Sequence, residues 1–400
     1  MSAHVTPEEL RAAERMPPER KREVFAHLLR GCPECRARTQ ELMGSPDPLQ
    51  RMLVQFLWHS AALAALAPLK GLPLCRALLE RSWGLRHDDP QGMIFLAELA
   101  VKTAAGLDPA RDGAPAVADA RAQAWGELAN AYRVRDDLIE AERAFHKAFR
   151  FLEEGTGDAA LQARLHDLQA SFFGTRRQFL LAFTELDMVH TLHLQRGDEH
   201  LAGRALITKA LYAFYAGQTE QALAINREGL SMIDGSRDPA LVSNALHNQI
   251  LFLIHEGHCL KARKFLFGNR IQVLKGGRIN ELKVRWLEGR ISYGLGDLPE
   301  AETAFQEVRA GFETTDNGFA VALCLLDLSL VWLRQGQIGK ARKVVAQATK
   351  VFYALRVPEV YSTVVILRDA LRLGKATVEL AEDIVDKIRR WQINPETPLE

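Results

Sequence analysis

The sequence is poor in the features that mark several classes of protein. Its five cysteines are scattered over 400 residues, which is too few for a disulfide framework and favours a reducing cytoplasm. Basic and acidic residues nearly cancel to a net charge of +1, so the chain as a whole is not drawn to nucleic acid or to an anionic membrane. The opening residues lack a basic segment followed by an apolar run, and we therefore expect no secretory signal.

Catalytic motifs are missing as well. The sequence has no Gly-rich phosphate loop, no Gly-x-Ser-x-Gly and no His-Glu-x2-His. Two histidine pairs, His190 with His193 and His255 with His258, have metal-ligand spacing, but no cysteine or acid cluster accompanies them. Packing or surface roles are favoured for these histidines. The sequence therefore predicts a protein that is not an enzyme.

The most apolar run, Met52 to Ala67, is too short for a membrane span. Gln55, His59 and Ser60 interrupt it, and it falls short of the roughly 20 apolar residues that a spanning helix needs. A buried soluble helix is the favoured interpretation. If the run inserted instead, the chain would be a membrane-associated regulator.

One small residue recurs with a regular period through the middle of the chain. The steps between successive alanines are 41, 40, 40, 39 and 40 residues. The alanines are Ala141, Ala182, Ala222, Ala262, Ala301 and Ala341. A period of about 20 to 50 residues is typical of repeat proteins that stack one supersecondary unit on the next.

Five residues before most of these alanines lies a residue that favours a turn. Apolar helical patterns lie on both sides, so each unit is predicted to be a helix, a turn and a second helix. The turn residues are Asp136, Gly217, Gly257, Gly296 and Gly336. The second unit breaks this rule, and we expect one extra residue in its turn, between Phe173 and Leu181.

The first unit resembles a tetratricopeptide repeat, with its W-x2-L-G-x2-Y and A-x3-F-x2-A halves. The residues that match are Trp125, Leu128, Ala129, Tyr132, Asp136, Ala141, Phe145 and Ala148. The third unit is a weaker match, because Asn226 and Gly229 replace the Phe and Ala of its second helix. The resemblance implies an all-α fold, a right-handed helix-turn-helix solenoid with repeats of about 40 residues.

The first 43 residues are predicted to form a separate small module with a candidate metal site. His27, Cys32 and Cys35 have the spacing H-x4-C-x2-C, and His4 could supply the fourth ligand of a tetrahedral zinc site. The pattern resembles the zinc-binding domain of bacterial anti-sigma factors, which implies structural zinc and a sigma factor as partner. That family usually has three residues between the His and the first Cys. A module that keeps its fold without metal, or a thiol redox pair, are the alternatives.

These observations divide the chain into six segments. They are a zinc-finger-like helical module (1–43), a linker (44–50), divergent helices that cap the repeats (51–116), six repeats (117–352), C-terminal capping helices (353–393) and a loose tail (394–400).

The first helix of each tetratricopeptide repeat lines the concave face in that family. The residues of this chain at the inward positions are basic, amide-bearing and aromatic, which suits an extended acidic peptide or a C-terminal carboxylate. The residues among them that are predicted to bind the partner are Asn130, Arg133, Arg204, Asn244, His247, Lys283, Trp286, Arg290 and Tyr293. The alternative is that these residues face one another or solvent.

The resulting functional prediction is a cytoplasmic, non-enzymatic scaffold or adaptor that binds a partner protein or peptide through its repeats. An anti-sigma-type transcription regulator that uses the zinc module is the alternative. No DNA-binding helix-turn-helix domain is evident, so direct DNA binding is not expected.

The zinc prediction is tested by metal analysis. Purified full-length protein should contain about one zinc ion per chain, because a structural site needs four ligands on one ion. Cys32→Ser should release the metal, whereas Cys75→Ser, outside the motif, should retain it. Protein that is purified without chelator, holds no metal and is folded at its N-terminus would contradict the prediction.

Overall fold

The computed structural model describes residues 71–390, apart from Asp88, Lys275, Gly276 and Asp316. The predicted zinc ligands His4, His27, Cys32 and Cys35 lie outside the described residues, as does the apolar run at 52–67. The zinc site, and the buried helix expected for that run, therefore stay predictions. Within the described ranges, no helix is both long and apolar enough to cross a membrane.

The chain forms two compact units, which divide between Leu161 and Gln162. In the described part of the first unit, the chain is helical from Gly71 onward, with short turns between helices. The helices are α1 (Gly71–Gly84), α2 (Pro90–Ala105), α3 (Pro109–Asp112), α4 (Ala114–Val134) and α5 (Leu138–Glu153), and α6 (Ala159–Thr175) begins just before the division.

The second unit continues the same alternation of first and second helices. Its later helices are α7 (Phe179–Gln195), α8 (Glu199–Tyr215), α9 (Thr219–Met232), α10 (Pro239–His255), α11 (Cys259–Val273), α12 (Arg278–Gly294), α13 (Leu298–Glu313), α14 (Gly318–Arg334), α15 (Ile338–Ala354), α16 (Pro358–Arg372) and α17 (Val378–Arg390). The prediction of an all-α, tetratricopeptide-like fold of paired helices is confirmed.

The turns within the pairs share one backbone geometry. Each predicted turn residue has positive φ, between 64° at Asp136 and 83° at Gly217 and Gly296. The residue after it donates its backbone N–H to a carbonyl five residues earlier, as Gln337 does to Trp332 at 2.7 Å. This pattern ends a helix and satisfies carbonyls that would otherwise lack partners. It explains why glycine, which adopts positive φ without strain, recurs there.

The expectation of an extra residue in the second turn is wrong. Arg177 takes the positive-φ position there, at 57°, and it lies five residues before Ala182 as in the other units. Gln178 donates its backbone N–H to Phe173 at 2.9 Å, so the turn has the usual length. The sequence pattern missed it because arginine gives no signal for a left-handed backbone.

Small residues allow the two helices of a pair to approach closely. All six periodic alanines are fully buried. In the third repeat, Gly203 of α8 and Gly229 of α9 face each other, and a Cβ placed on Gly229 would lie 2.9 Å from the Gly203 carbonyl oxygen. Asn226 is buried and donates to the Ala245 carbonyl and to Gln249, both at 2.9 Å. The substitutions that weaken the tetratricopeptide match therefore belong to a tightly packed contact.

A pair of glycine substitutions tests this packing. Gly229→Ala should lower the free energy of unfolding by about 1–3 kcal/mol, because the new methyl group overlaps a backbone carbonyl that cannot easily move. Gly268→Ala is the control: its helical position on α11 has open space around it, so alanine should stabilise the protein by about 0.5–1 kcal/mol. Chemical denaturation measures both, and the same sign for both variants would contradict the close approach.

Candidate binding surface on the first helices

Two of the predicted binding residues, Asn130 and Arg133, lie in the first unit on α4 and contact each other. Both are buried, and the Arg133 guanidinium donates from Nε and Nη2 to the Asn130 side-chain oxygen, at 3.0 and 2.9 Å. The other seven lie on three first helices of the second unit. They are called the first-helix surface below: Arg204, Asn244, His247, Lys283, Trp286, Arg290 and Tyr293.

Next to the α12 part of this surface lies a buried carboxylate that sequence reasoning did not select. Asp327 of α14 is 1% exposed and lies within an otherwise apolar helix. The indole Nε1 of Trp286 donates to its Oδ2 at 2.5 Å, and the Arg290 Nε lies 3.6 Å from the same oxygen. Arg389 of α17 donates to its Oδ1. One buried carboxylate thus joins three helices.

Arg290 is held between a ring and charged groups. Its guanidinium lies 4.8 Å from the centre of the Trp286 ring, a cation–π contact, and its side chain is 10% exposed. Burial, followed by the positive charge of Arg389, lowers the pKa of Arg290 to about 10, against the opposing effect of Asp327. The side chain remains a cation at pH 7.

Tyr293 also contacts the last helix. Its hydroxyl donates to Glu382 of α17 at 2.5 Å, and Arg334 at the end of α14 pairs with the same carboxylate at 2.6 Å. The Arg334 guanidinium lies 4.0 Å from the centre of the Tyr293 ring. Burial, followed by the hydrogen bond to Glu382, raises the pKa of Tyr293, so the hydroxyl is a donor at every physiological pH.

The histidines on α10 have different roles. Burial, followed by the charges of Lys283 and Arg290, lowers the pKa of His247 to about 3, so this ring is neutral at pH 7. His255, at the end of α10, lies 2.8 Å from Asp386 of α17 through Nε2 and 3.2 Å from the Thr219 hydroxyl through Nδ1. Within the described residues, no group of three histidine, cysteine or acidic side chains could hold a metal ion.

The earlier part of the surface is more open. Arg204 pairs with Asp167 of α6 at 2.7 Å and its side chain remains 38% exposed, while Asn244 is exposed. Arg164 lies 3.8 Å from the same Asp167, so one carboxylate is shared by two guanidinium groups. The geometry therefore brings Trp286, Arg290 and Tyr293 into a network closed by α17, buries Lys283, and leaves Arg204 and Asn244 accessible.

Sequence reasoning missed the partners that α17 and α14 supply. Asp327 was detectable, because it is the single charged residue between Phe319 and Leu333. Glu382, Asp386 and Arg389 gave no such signal, since a terminal helix is expected to be polar on its outer face.

The paired helices and their turns define a tetratricopeptide-like helical repeat protein. No protein-family model matches the chain, and a comparison with curated proteins found no match either.

Solved structures with the same fold include these three. One is a Rap protein complexed with Competence and Sporulation Factor, at 15% identity and a TM-score of 0.57, over 80% of this chain and 88% of that one. Aspartyl phosphate phosphatase F from Bacillus subtilis matches at 13% and 0.56, over 88% and 96%. The apo form of the quorum sensor NprR from B. thuringiensis matches at 14% and 0.52, over 85% and 99%. At these identities the likeness shows the fold alone.

The buried carboxylate can be tested by substitution. Asp327→Asn should lower the free energy of unfolding by about 3–5 kcal/mol, because it leaves two guanidinium groups without their charge partner in a largely buried site. Asp187→Asn is the control: its carboxylate is 56% exposed and pairs with Lys209 at 2.5 Å, and such surface pairs contribute at most about 1 kcal/mol. Equal losses in chemical denaturation would contradict the central role of Asp327.

Proposed function

We propose that this chain is a regulator that binds an acidic peptide or protein segment on the first-helix surface. The observation that carries the proposal is the arrangement of cations and donors along successive first helices, from Arg204 on α8 through Asn244 on α10 to Arg290 on α12. Charge-assisted hydrogen bonds from guanidinium groups are among the strongest that a protein offers to a carboxylate.

The accessible part of the surface is the entry point for such a segment. Arg204 and Asn244 are reachable from solvent, and Asp167, which Arg204 now contacts, is a carboxylate that a peptide carboxylate could replace. A peptide that binds there is held by the pairing that the chain already uses internally.

The similar solved structures support a binding role, although they share only the fold with this chain. One similar structure holds a bound factor and another is a quorum sensor, and both are built from the same kind of helical pairs. Another is a phosphatase. That this chain acts by binding and not by catalysis stays a prediction, as do the anti-sigma alternative, with a sigma factor as partner, and the structural zinc at His27, Cys32 and Cys35.

A peptide array tests the proposal. Acidic, neutral and basic heptapeptides with free C-termini are screened on full-length protein, and the affinity of each binder is measured by fluorescence anisotropy. Acidic peptides should bind, and Arg204→Glu should weaken them by at least about tenfold, because it places a like charge against the peptide carboxylate. Affinity should fall at high ionic strength, since exposed charges are screened.

The matched control is Arg263→Glu, which makes the same charge change at an exposed position on the second helix α11. It should leave the affinity unchanged. Binding that is equally weakened by both variants, or an array with no acidic binder, would refute the proposal.

A further inference from the structure

The last helix contacts more of the molecule than a capping helix needs to. A cap needs to cover only the final repeat, which consists of α14 and α15. Polar residues of α17 reach three successive first helices: Arg389 contacts Asp327 on α14, Glu382 contacts Tyr293 on α12, and Asp386 contacts His255 on α10.

The contact face of α17 combines an apolar stripe with charges at fixed spacing. Ala381, Ile384, Val385 and Ile388 are almost fully buried and follow the i, i+3, i+4, i+7 spacing of one helix face. They belong to the same buried cluster as Leu323, Leu326 and Leu330 of α14. The carboxylates of Glu382 and Asp386 are four residues apart and Arg389 follows three residues later, so all three lie along one side of the stripe.

A cavity lies beside the C-terminal end of α17. A cavity of about 290 Å³ lies where the last two helices meet the ends of α6 and α8. Its lining includes Arg177, Tyr215, Thr363, Lys387 and Ile388. The last two helices therefore leave a space beside Lys387, while the neighbouring Ile388 is almost fully buried.

The helix itself is short. At 13 residues it is close to the length below which an isolated helix is marginal in water, so its stability comes from the surface it lies on. Gly374, with φ of 67°, precedes it in a loop of a few residues. The position of α17 therefore depends on the surface beneath it and not on its own helical stability.

We infer that the surface beneath α17 is a binding site for an acidic amphipathic helix, which α17 occupies within the chain and which a partner helix occupies in its place. The inference rests on the proposed function and names the partner's chemistry. The partner carries apolar residues at i, i+3, i+4 and i+7, carboxylates at i+1 and i+5, and a cation at i+8. The carboxylates pair with Arg334, Tyr293 and His255, and the cation pairs with Asp327.

The probe is a fluorescent peptide of residues 376–390, added to the full-length chain. Because α17 covers the site in most wild-type molecules, the apparent affinity of the peptide is its intrinsic affinity multiplied by the fraction of molecules in which the site is open. Glu382→Arg in the chain should loosen α17 by repulsion from Arg334 and raise the apparent affinity by at least about tenfold. Asp383→Arg is the matched control, since Asp383 lies on the exposed side of the same helix, and it should leave the affinity as in wild type.

Charge exchange checks the register. A peptide with the substitution Glu382→Arg should fail to bind the Glu382→Arg chain, and binding should return when that chain also carries Arg334→Glu. Equal binding of both peptides to the Glu382→Arg chain would overturn the assignment of Glu382 to Arg334.

A measurement on wild type covers the case in which a variant does not fold. Saturating peptide should accelerate hydrogen exchange in residues 378–390 and leave α14 protected. No binding to wild type or to the Glu382→Arg chain, or binding that leaves exchange in α17 unchanged, overturns the inference. If acidic heptapeptides still bind in an Arg204-dependent way, the proposed function stands while this inference fails.

Discussion

An ion that is withdrawn from water costs several kcal/mol unless its partners are in place. Asp327 imposes this constraint on the second unit, because its carboxylate is almost fully buried and its partners come from two other helices. Trp286, Arg290 and Arg389 each supply this carboxylate with a donor or a charge partner, so the loss of any one of them weakens the site. The first-helix surface takes its shape from that requirement.

One part of the first-helix surface is covered by α17, and another part is open to solvent. Apolar side chains and the polar pairs of Glu382, Asp386 and Arg389 fix α17 along its length, and Lys387 and Ile388 border a cavity. Arg204 and Asn244, earlier in the chain, are not engaged by α17. Under the proposed function, a ligand meets the open residues first and competes for the covered ones afterwards, so its binding and the position of α17 belong to one equilibrium.

How much the sequence reveals depends on the range of each interaction. The helical pairs follow from local signals: buried alanines at a steady period, and glycine where φ must be positive. The turn at Arg177 was not predictable, since nothing in that side chain favours its backbone conformation. The long-range pairs were not predictable either. Tyr293 and Glu382 are 89 residues apart in sequence and Asp327 and Arg389 are 62 apart, and helical periodicity does not say which distant face a polar residue will meet. The predicted binding residues thus lie on first helices, as expected, but the residues that they contact within the chain were not predicted.

The inference above makes α17 a separable helix on the first-helix surface. It is held there by Asp327 of α14 and by its own residues Glu382 and Asp386. Native-state hydrogen exchange across a range of low denaturant concentrations tests it most directly, because it reports the free energy of local opening for each helix. Residues 378–390 should open with a smaller free energy than α14 and with little dependence on denaturant, as a local event. Exchange of α17 and α14 at one common free energy, with the same denaturant dependence, would contradict it.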